Sequence, residues 1–385
     1  MSDQTSNAND DSNASTSPHV LSVASDVESL LINARQQAEP VPMTGRHLVS
    51  YHPEHLDAGM SHLQDSGFRI ADARDFDDQS VRFHEAGDAE ALVFPELGIA
   101  LVGGDAMEAR ETTAQNHFGD HHAVHAVEHE HFVFAHNQSD YLRGFLRATE
   151  LIYAELAGEP PKVESSDDPK DSPEIDALTW GLEVCGVSKS AFSGKGIKVA
   201  VLDTGLDLSH PDFQDRAIQS SSFVNEDIDD IYGHGTHCAG IACGPQAASS
   251  GVRRYGVAYG ADIYIGKVLT NSGSGAGAYT LAGMNWAIAN NCEVISMSVG
   301  GQHPVQEAYT KAGAAALAKG LLMIAATGNM EPATDAPANS PTVVSVGSLD
   351  TDLKPSFYSD PGKVDFAAKL VELVIRTAVG LVVRR

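Results

Sequence analysis

Short runs of consecutive apolar residues alternate with helix-period segments through the second half of the chain. "IKVAVLD" at 197–203 and "LLMIAAT" at 321–327 are typical of strands buried on both faces, because a half-exposed strand would alternate with polar residues. "AGAYTLAGMNWAIANN" at 276–291 and "VQEAYTKAGAAALAKG" at 305–320 are long enough to form helices between such strands. The pattern predicts an α/β fold with three layers, in which helices cover both faces of a parallel sheet.

The first half of the chain has shorter strands of mixed polarity. Strands are predicted at 46–52 and 123–136, with a helix at 53–67 after the first of them. A strand at "FRIADARDF", two more at "ALVF" and "GIALVGG", and a second helix at "DAMEARETTAQN" lie between. We expect a small α+β domain of β-α-β-β-α-β order over residues 46–136.

The remaining segments flank or connect these two regions. Residues 1–18 are polar and low in complexity, which predicts disorder, and a short amphipathic helix follows them. A proline-rich and acidic run at 159–173 is the clearest linker, and a helix is predicted before it. The chain thus divides into a leader, a small domain, a helix with its linker, a large domain and a tail: 1–45, 46–136, 137–175, 176–368 and 369–385.

The balance of charge narrows the choice of partners. Lys plus Arg number 25 and Asp plus Glu number 52, a net charge of −27, so phosphates would be repelled and nucleic acid is not expected as a partner. The N-terminus lacks a basic n-region and an apolar h-region, and no apolar run is long enough for a bilayer. We therefore expect no membrane partner and take the cytoplasm as the default location. The four cysteines are too scattered for a disulfide framework and are expected to be free thiols.

Two positions could carry chemistry. Asp203 ends a predicted strand, where ligands and catalytic groups of parallel sheets collect, and His234 begins a predicted helix. Each also has a structural interpretation, Asp203 as a turn cap and His234 as a packed core residue. A metal site formed by His234 and His237 is a third interpretation, although the spacing is one residue short of H-E-x-x-H and no Glu stands between them.

Four motifs taken together favour the catalytic interpretation. "VAVLDTGLDLSHPDF", "GHGTHCAG", "ISMSVGG" and "AATGN" follow one another in an order and spacing that closely resemble the subtilisin-like serine proteases, or subtilases, over about 179–368. The "HCAG" variant is similar to the proteinase K branch. The resemblance implies a subtilisin-type three-layer fold, C-terminally incomplete in this chain, and serine-type endopeptidase activity. It also implies that Asp203 orients the imidazole, that His234 is the general base and acid, and that Asn329 donates a hydrogen bond to the oxyanion.

The resemblance extends to the binding of substrate, an extended peptide or protein. Ser298, Val299 and Gly300 are implied to form an edge strand that pairs with the substrate backbone. Ala326 and Gly328 are implied to line the pocket for the side chain before the scissile bond.

No cofactor is implied as a requirement of this chemistry. Asp212, in "HPDF", matches a position that often ligates calcium, but the second part of the usual calcium loop is not evident. Cys238 is implied to be a buried thiol beneath the histidine, without a chemical role.

The nucleophile of the family is the element that the sequence does not supply. None of the serines after Asn329 has the expected G-T-S-M-A-like setting at the start of a long helix: Ser340, Ser345, Ser348, Ser356 and Ser359. After "VDFAA" the chain reads "KLVELVIRTAVGLVVRR", which is typical of a truncation or frameshift, or alternatively of a divergent amphipathic helix. We therefore expect an inactive chain. The alternative is a pseudoprotease that binds extended peptides or acts as an inhibitor or chaperone through its front domain.

The small front domain matches a subtilase propeptide in size, order and position, which makes it the expected intramolecular partner of the large domain. Its histidine-rich segment allows three interpretations: a pH switch, a metal-binding tract, or the solvated face of a strand in an acidic protein. The histidines of this segment are His117, His121, His122, His125, His129, His131 and His136.

Overall fold

The structure is a computed structural model of the 385-residue chain. It describes residues 21–37, 42–110, 121–135, 178–249, 251–329, 332–350, 352–356, 359–369, 373–377 and 380–384. The predicted disorder at 1–18, the helix before the linker, the linker itself, His117 and His136 lie outside these residues. We call residues 21–135 the N-terminal lobe and residues 178–369 the C-terminal lobe.

The C-terminal lobe is built on a seven-stranded sheet in which every neighbouring pair is parallel. Its strands, in the order β14-β13-β12-β10-β6-β8-β7, are Phe366–Lys369, Val344–Leu349, Leu322–Ala326, Val294–Met297, Lys198–Asp203, Asp262–Lys267 and Ile218–Ser222. The four helices of this lobe are α3 (Trp180–Val184), α4 (His234–Cys243), α5 (Gly277–Ala289) and α6 (Glu307–Ala318). This arrangement confirms the predicted α/β class with a parallel sheet.

Both faces of the sheet are covered, as the continuous apolar runs indicated. Val199 and Val201 of β6 share a buried cluster with Ala239 and Cys243 of α4. Ala200 and Leu202, which point the opposite way, belong to the main core, together with residues of α5 and α6. Residues 277–288 of α5 are all buried, because this helix lies between the sheet and the N-terminal lobe. The two lobes therefore share one apolar core.

The N-terminal lobe has strands in the order β5-β1-β4-β3-β2 and includes the helices α1 and α2. These elements are α1 (Val27–Gln37), β1 (Met43–Tyr51), α2 (Leu56–Asp65), β2 (Ile70–Asp72), β3 (Ala91–Phe94), β4 (Ile99–Val102) and β5 (Val124–Ala135). Residues 104–110 are helical, in agreement with the second predicted helix. The predicted strand at 68–76 ends at Asp72, because its carboxylate accepts from Arg74 N and begins a 3-10 turn.

The tail differs from the amphipathic helix considered for it. It forms β15 (Leu373–Thr377) and β16 (Gly380–Arg384), an antiparallel pair. The helical alternative was wrong because these segments are rich in β-branched residues, which favour extended backbone. Among the described residues, no helix combines the length and apolarity that crossing a membrane requires.

Candidate active site

Asp203 and His234 come together at the carboxyl edge of the main sheet. Asp203 is the last residue of β6, and His234 is the first residue of α4. Asp203 Oδ1 lies 2.7 Å from His234 Nδ1, and both side chains are buried. Asp203 Oδ1 also accepts from Thr204 N at 2.7 Å, which fixes the carboxylate. This contact leaves Nε2 as the imidazole atom that can exchange a proton with another group.

Asp230 holds the start of α4 against the end of β6. Its Oδ1 accepts from Thr204 Oγ1 and from Gly233 N, both at 2.8 Å. Its Oδ2 accepts from the backbone N and the Oγ1 of Thr236, both at 2.7 Å. A carboxylate at this end of a helix satisfies N–H groups that have no partner within the helix. Asp230 was not among the residues predicted from the sequence. An acidic residue shortly before a predicted helix was the feature that could have indicated its capping role.

Glycine allows the close approach of α4 to the loop after β6. A Cβ atom on Gly235 would lie 2.3 Å from Gly205 O, and one on Gly205 would lie 2.2 Å from Ile228 O. Gly205 and Gly233 also have φ values of 108° and 85°, which favour glycine. These glycines of the "DTGLD" and "GHGTH" motifs therefore set the distance between the acid and the imidazole.

The electrostatics of the pair favour a charged imidazole. Burial by itself lowers the pKa of His234, but the charge of Asp203 and its hydrogen bond outweigh burial and hold the pKa well above the usual 6.5. Burial raises the pKa of the Cys238 thiol, whose Sγ lies 3.8 Å from His234 Nδ1. Ser298 also hydrogen-bonds Cys238, so the thiol connects the imidazole with the residue that directly follows β10. Cys238 thus matches its predicted position.

Among the described residues, Asp203, His234 and Cys238 form the group whose potential ligand atoms all lie within 4.8 Å of one another. His237 is not a member, so the structure does not bring the two histidines of α4 together as metal ligands. The Asp203 carboxylate and His234 Nδ1 are already engaged with each other. The acid–imidazole pair is therefore a better description of this site than a two-histidine metal centre.

The predicted substrate-binding residues follow the ends of neighbouring strands at the same edge. Val299 and Gly300 form the short strand β11 after β10, and Ala326 is the last residue of β12. Asn329 is the third residue after the end of β12 and makes an antiparallel bridge with Ser359.

The space beside Gly328 is filled in this structure. A Cβ atom there would lie 2.1 Å from an Asp360 carboxylate oxygen and 2.8 Å from one of Asp335. The predicted pocket at Gly328 is thus lined by two acidic side chains.

The edge strand predicted to bind substrate is already paired with another part of the chain. The second half of β5 leaves the N-terminal lobe and lies between β11 and β9 (Ser274–Ala276), antiparallel to both. Phe134 is opposite Gly300 on one side and opposite Ser274 on the other. The chain's own strand thus occupies the position at which an extended peptide would add to the edge.

Two glutamates on β5 contact the first turns of two helices in the C-terminal lobe. Glu128 accepts from Glu307 N and Ala308 N at the start of α6, both at 2.9 Å. Glu130 accepts from Ala278 N at the start of α5, at 2.7 Å. Negative charge at a helix N-terminus is stabilising because the N–H groups there point outward. Neither contact was predicted from the sequence. The alternation of acidic residues along β5 was the feature that could have indicated them.

The remaining predicted site residues have local partners. Asp212 accepts from Ser249 N at 2.6 Å and from Tyr255 Oη at 2.5 Å, and burial together with this contact raises the pKa of Tyr255. Calcium binding at Asp212 stays a prediction. In the described part of the chain, the hydrogen bonds of His234 go to Asp203 and Cys238, and none of the five serines after Asn329 takes part.

The parallel sheet, the glycine-rich start of α4 and the buried Asp203–His234 pair form the arrangement that the resemblance to subtilases implies. Comparison with known families agrees, since residues 194–377 match the subtilase family, Peptidase S8. The match covers slightly less than half of the chain. The match extends nine residues past 368, where the sequence resemblance was expected to stop.

The similar curated proteins are named as proteases. Similar proteins include subtilisin-like protease 1 of Trichophyton equinum, with 34% identity over 219 residues, 52% of this chain and 39% of the relative. Intracellular serine protease of Paenibacillus polymyxa is 37% identical over 214 residues, 52% of this chain and 64% of the relative. Subtilisin-like protease 6 of Trichophyton rubrum is 33% identical over 211 residues, 49% of this chain and 47% of the relative. The matched region thus spans about half the length of these relatives.

Proposed function

We propose that the C-terminal lobe carries the acid–base, oxyanion and substrate-binding parts of a serine endopeptidase site. The observation that carries this proposal is the buried contact of 2.7 Å between Asp203 Oδ1 and His234 Nδ1 at the carboxyl edge of the sheet. In this role Asp203 fixes the tautomer of the imidazole and stabilises its cation. His234 then takes a proton at Nε2 from a hydroxyl nucleophile and gives it to the leaving amine.

The other predicted residues supply binding rather than proton transfer. Backbone groups of Val299 and Gly300 pair with an extended substrate, and Asn329 donates its side-chain amide to the oxyanion of the tetrahedral intermediate. Supporting this assignment, Val299 and Gly300 follow β10, which is adjacent to β6, and Asn329 follows β12, the next strand in the sheet. The chemistry uses side chains and backbone groups only, so it needs no cofactor.

The N-terminal lobe is proposed to act as an intramolecular inhibitor and folding partner. Its strand β5 fills the edge at which substrate would pair, and its two glutamates bind the first turns of α5 and α6. A segment that makes these contacts excludes substrate and also stabilises the helices on which the sheet packs. The linker at 159–173 is the proposed site of cleavage that would separate the two lobes.

The chain of 385 residues is proposed to bind peptide without hydrolysing it. Support comes from the partners of His234, which are Asp203 and Cys238 in the described residues rather than a serine hydroxyl. Without an aligned hydroxyl no acyl-enzyme can form through this imidazole.

A fluorophosphonate probe tests the proposal directly, because it labels serines that a neighbouring base activates. We expect the 385-residue chain to show no more labelling than its His234→Gln variant. Labelling that disappears in His234→Gln would show an activated serine within the chain. That result would overturn the proposed lack of hydrolysis while supporting the acid–base assignment.

Binding of extended peptides without hydrolysis, the function of a pseudoprotease, is supported by β5, because β11 already pairs with this antiparallel strand of the same chain. Fluorescence anisotropy of a labelled extended peptide measures such binding. Phe134→Asp weakens the half of β5 that lies against β11 and should increase peptide binding. Val127→Asp is the matched control, because Val127 is 39% exposed and pairs with β1 instead. Equal binding by both variants would count against peptide binding at this edge.

A further inference from the structure

Four histidines of the N-terminal lobe form two adjacent H-x-x-H segments. His52 and His55 follow the end of β1, and His122 and His125 stand at the beginning of β5. The backbone fixes how these segments face each other. Tyr51 pairs with Val124 in an antiparallel ladder, and His52 N donates to Ala123 O at 2.9 Å.

This antiparallel arrangement puts each histidine of one segment beside a histidine of the other. The ring centroids of His52 and His125 are 4.9 Å apart, and those of His55 and His122 are 5.3 Å apart. Within the first segment, the rings of His52 and His55 are 6.4 Å apart. The imidazoles of these four residues thus form a row in the order His122, His55, His52 and His125. We call them the histidine quartet.

The partners of the quartet are unusual for an acidic protein of net charge −27. Solvated histidines in such a protein would be expected to contact carboxylates. Among the described residues, only His125 of the quartet has an ion pair, with Glu307 of α6 at 2.9 Å. The other three rings contact imidazoles instead. Neighbouring imidazoles can share a bound cation, because each neutral ring offers one nitrogen lone pair.

We propose that the quartet binds a divalent transition-metal ion that prefers imidazole nitrogen, such as Zn²⁺ or Cu²⁺. Zinc–nitrogen distances of about 2.0–2.1 Å in a tetrahedral site place the ring centroids roughly 5 Å apart. The cross-segment separations of 4.9 and 5.3 Å are close to this value, and the separation of 6.4 Å within the first segment is wider. The rings now meet edge to face, at 74° and 75° in the cross-segment pairs, so rotation about the side-chain bonds must turn their nitrogens inward.

Solvent access and the neighbouring lobe are both compatible with this ion. His122 and His125 are exposed and the other two rings are partly buried, so an ion can enter from solvent. Glu307 offers a carboxylate oxygen beside His125. The proposed site therefore lies at the contact between the N-terminal lobe and the start of α6.

Isothermal titration of the full 385-residue chain with Zn²⁺ tests the proposal. We expect one equivalent to bind, with affinity lost as the pH falls because protons compete for imidazole nitrogen. The double variant His52→Gln/His122→Gln should weaken binding by at least about tenfold. His84→Gln should leave binding unchanged, since His84 is an exposed histidine of the same lobe outside the quartet. Cys238→Ser should also leave it unchanged, which excludes the group at Asp203 and His234.

Absence of binding at about 100 µM Zn²⁺, or equal affinity of the double variant and the unaltered chain, would overturn the proposal.

A second measurement needs no variant and so does not depend on folding of the substituted chain. Diethyl pyrocarbonate modifies accessible imidazoles, and mass spectrometry locates the modified residues. We expect Zn²⁺ to protect the quartet and not His84; equal modification with and without Zn²⁺ would overturn the site.

Discussion

Glu130 of β5 accepts a hydrogen bond from the backbone N of Ala278, 2.7 Å away, at the first turn of α5. The same carboxylate forms a fully buried ion pair with Arg46, whose Nε lies 2.6 Å from Glu130 Oε2. One side chain thus connects the sheet of the N-terminal lobe with a central helix of the C-terminal lobe. The charge of Arg46 is compensated only while Glu130 is ionised and in place.

Glu130→Gln should destabilise the chain strongly. The substitution keeps the shape of the side chain but leaves the guanidinium of Arg46 buried without an opposite charge, which costs on the order of 3–5 kcal/mol. Urea unfolding followed by circular dichroism measures the loss. Glu85→Gln is the control, because Glu85 and Arg82 form an exposed pair and should change the free energy of unfolding by less than about 1 kcal/mol. Similar losses in both variants would contradict the importance of the buried pair.

Asp203→Asn should lower the pKa of His234. The Asp203 carboxylate is what holds this pKa well above 6.5 against the effect of burial, and asparagine has no charge. NMR titration of the imidazole C–H signal should show a charged ring above pH 6.5 in the unaltered chain and a neutral ring there in the variant.

The sign of the accompanying change in stability follows from the raised pKa. Stabilisation from charged His234 is full below about pH 6.5 and is lost as the pH rises through the pKa of the folded state. Asp203→Asn should therefore cost more free energy of unfolding at pH 6 than at high pH. A cost independent of pH would contradict the assignment.

Asp230→Ala should separate α4 from the end of β6. The change removes the acceptor for Thr204, Gly233 and Thr236, so we expect a loss of about 2 kcal/mol in the free energy of unfolding. Thermal unfolding monitored by calorimetry measures it. Asp229→Ala is the matched control, since Asp229 is an exposed acid one residue earlier. An unchanged midpoint in Asp230→Ala would show that the cap is dispensable.

The contact between the lobes should weaken in acid. His303 of the C-terminal lobe stacks on His131 of β5 at 4.5 Å, and burial together with His131 lowers the pKa of His303 to about 4. A histidine with a lowered pKa stabilises the fold above about pH 6.5 and loses this contribution as the pH falls toward 4. At pH 5 the loss from His303 is about 2 kcal/mol.

His303→Phe should reduce this acid sensitivity, because phenylalanine keeps the ring contacts with His131 and Tyr309 but takes no proton. Urea unfolding at pH 5 and pH 7.5 gives the difference in stability. We expect that difference to shrink in His303→Phe and to persist in His84→Gln. If the difference persisted in His303→Phe as well, the pH-switch interpretation of the histidine-rich segment would lose its support at this contact.

The sequence predicted the elements whose residues interact locally. β6, α5 and α6 appeared within a few residues of their observed bounds, because continuous apolar runs and helix-length segments reflect burial directly. Asp203 and His234 were found because glycine-rich motifs surround them. Asp230 was missed, since one acidic residue among several does not reveal which helix it will cap.

The contacts of β5 could not be predicted for a different reason. β9 and β11 are only three and two residues long, and each is a strand because β5 pairs with it. Glu128 and Glu130 look like polar residues of a half-exposed strand until the helices they contact are known. Pairing between segments more than a hundred residues apart depends on tertiary structure, which no local pattern encodes.

β5 is a single strand of twelve residues that pairs with β1 of the N-terminal lobe and with β9 and β11 of the C-terminal lobe. A free peptide that competes for the edge at β11 therefore faces a tethered competitor, whose local concentration does not fall on dilution. Peeling the second half of β5 away also removes Glu130 from Arg46 and from α5, so the strand cannot fray gradually at little cost. Exchange of peptide at this edge should accordingly behave as an all-or-none opening event, rather than as simple competition for backbone hydrogen bonds.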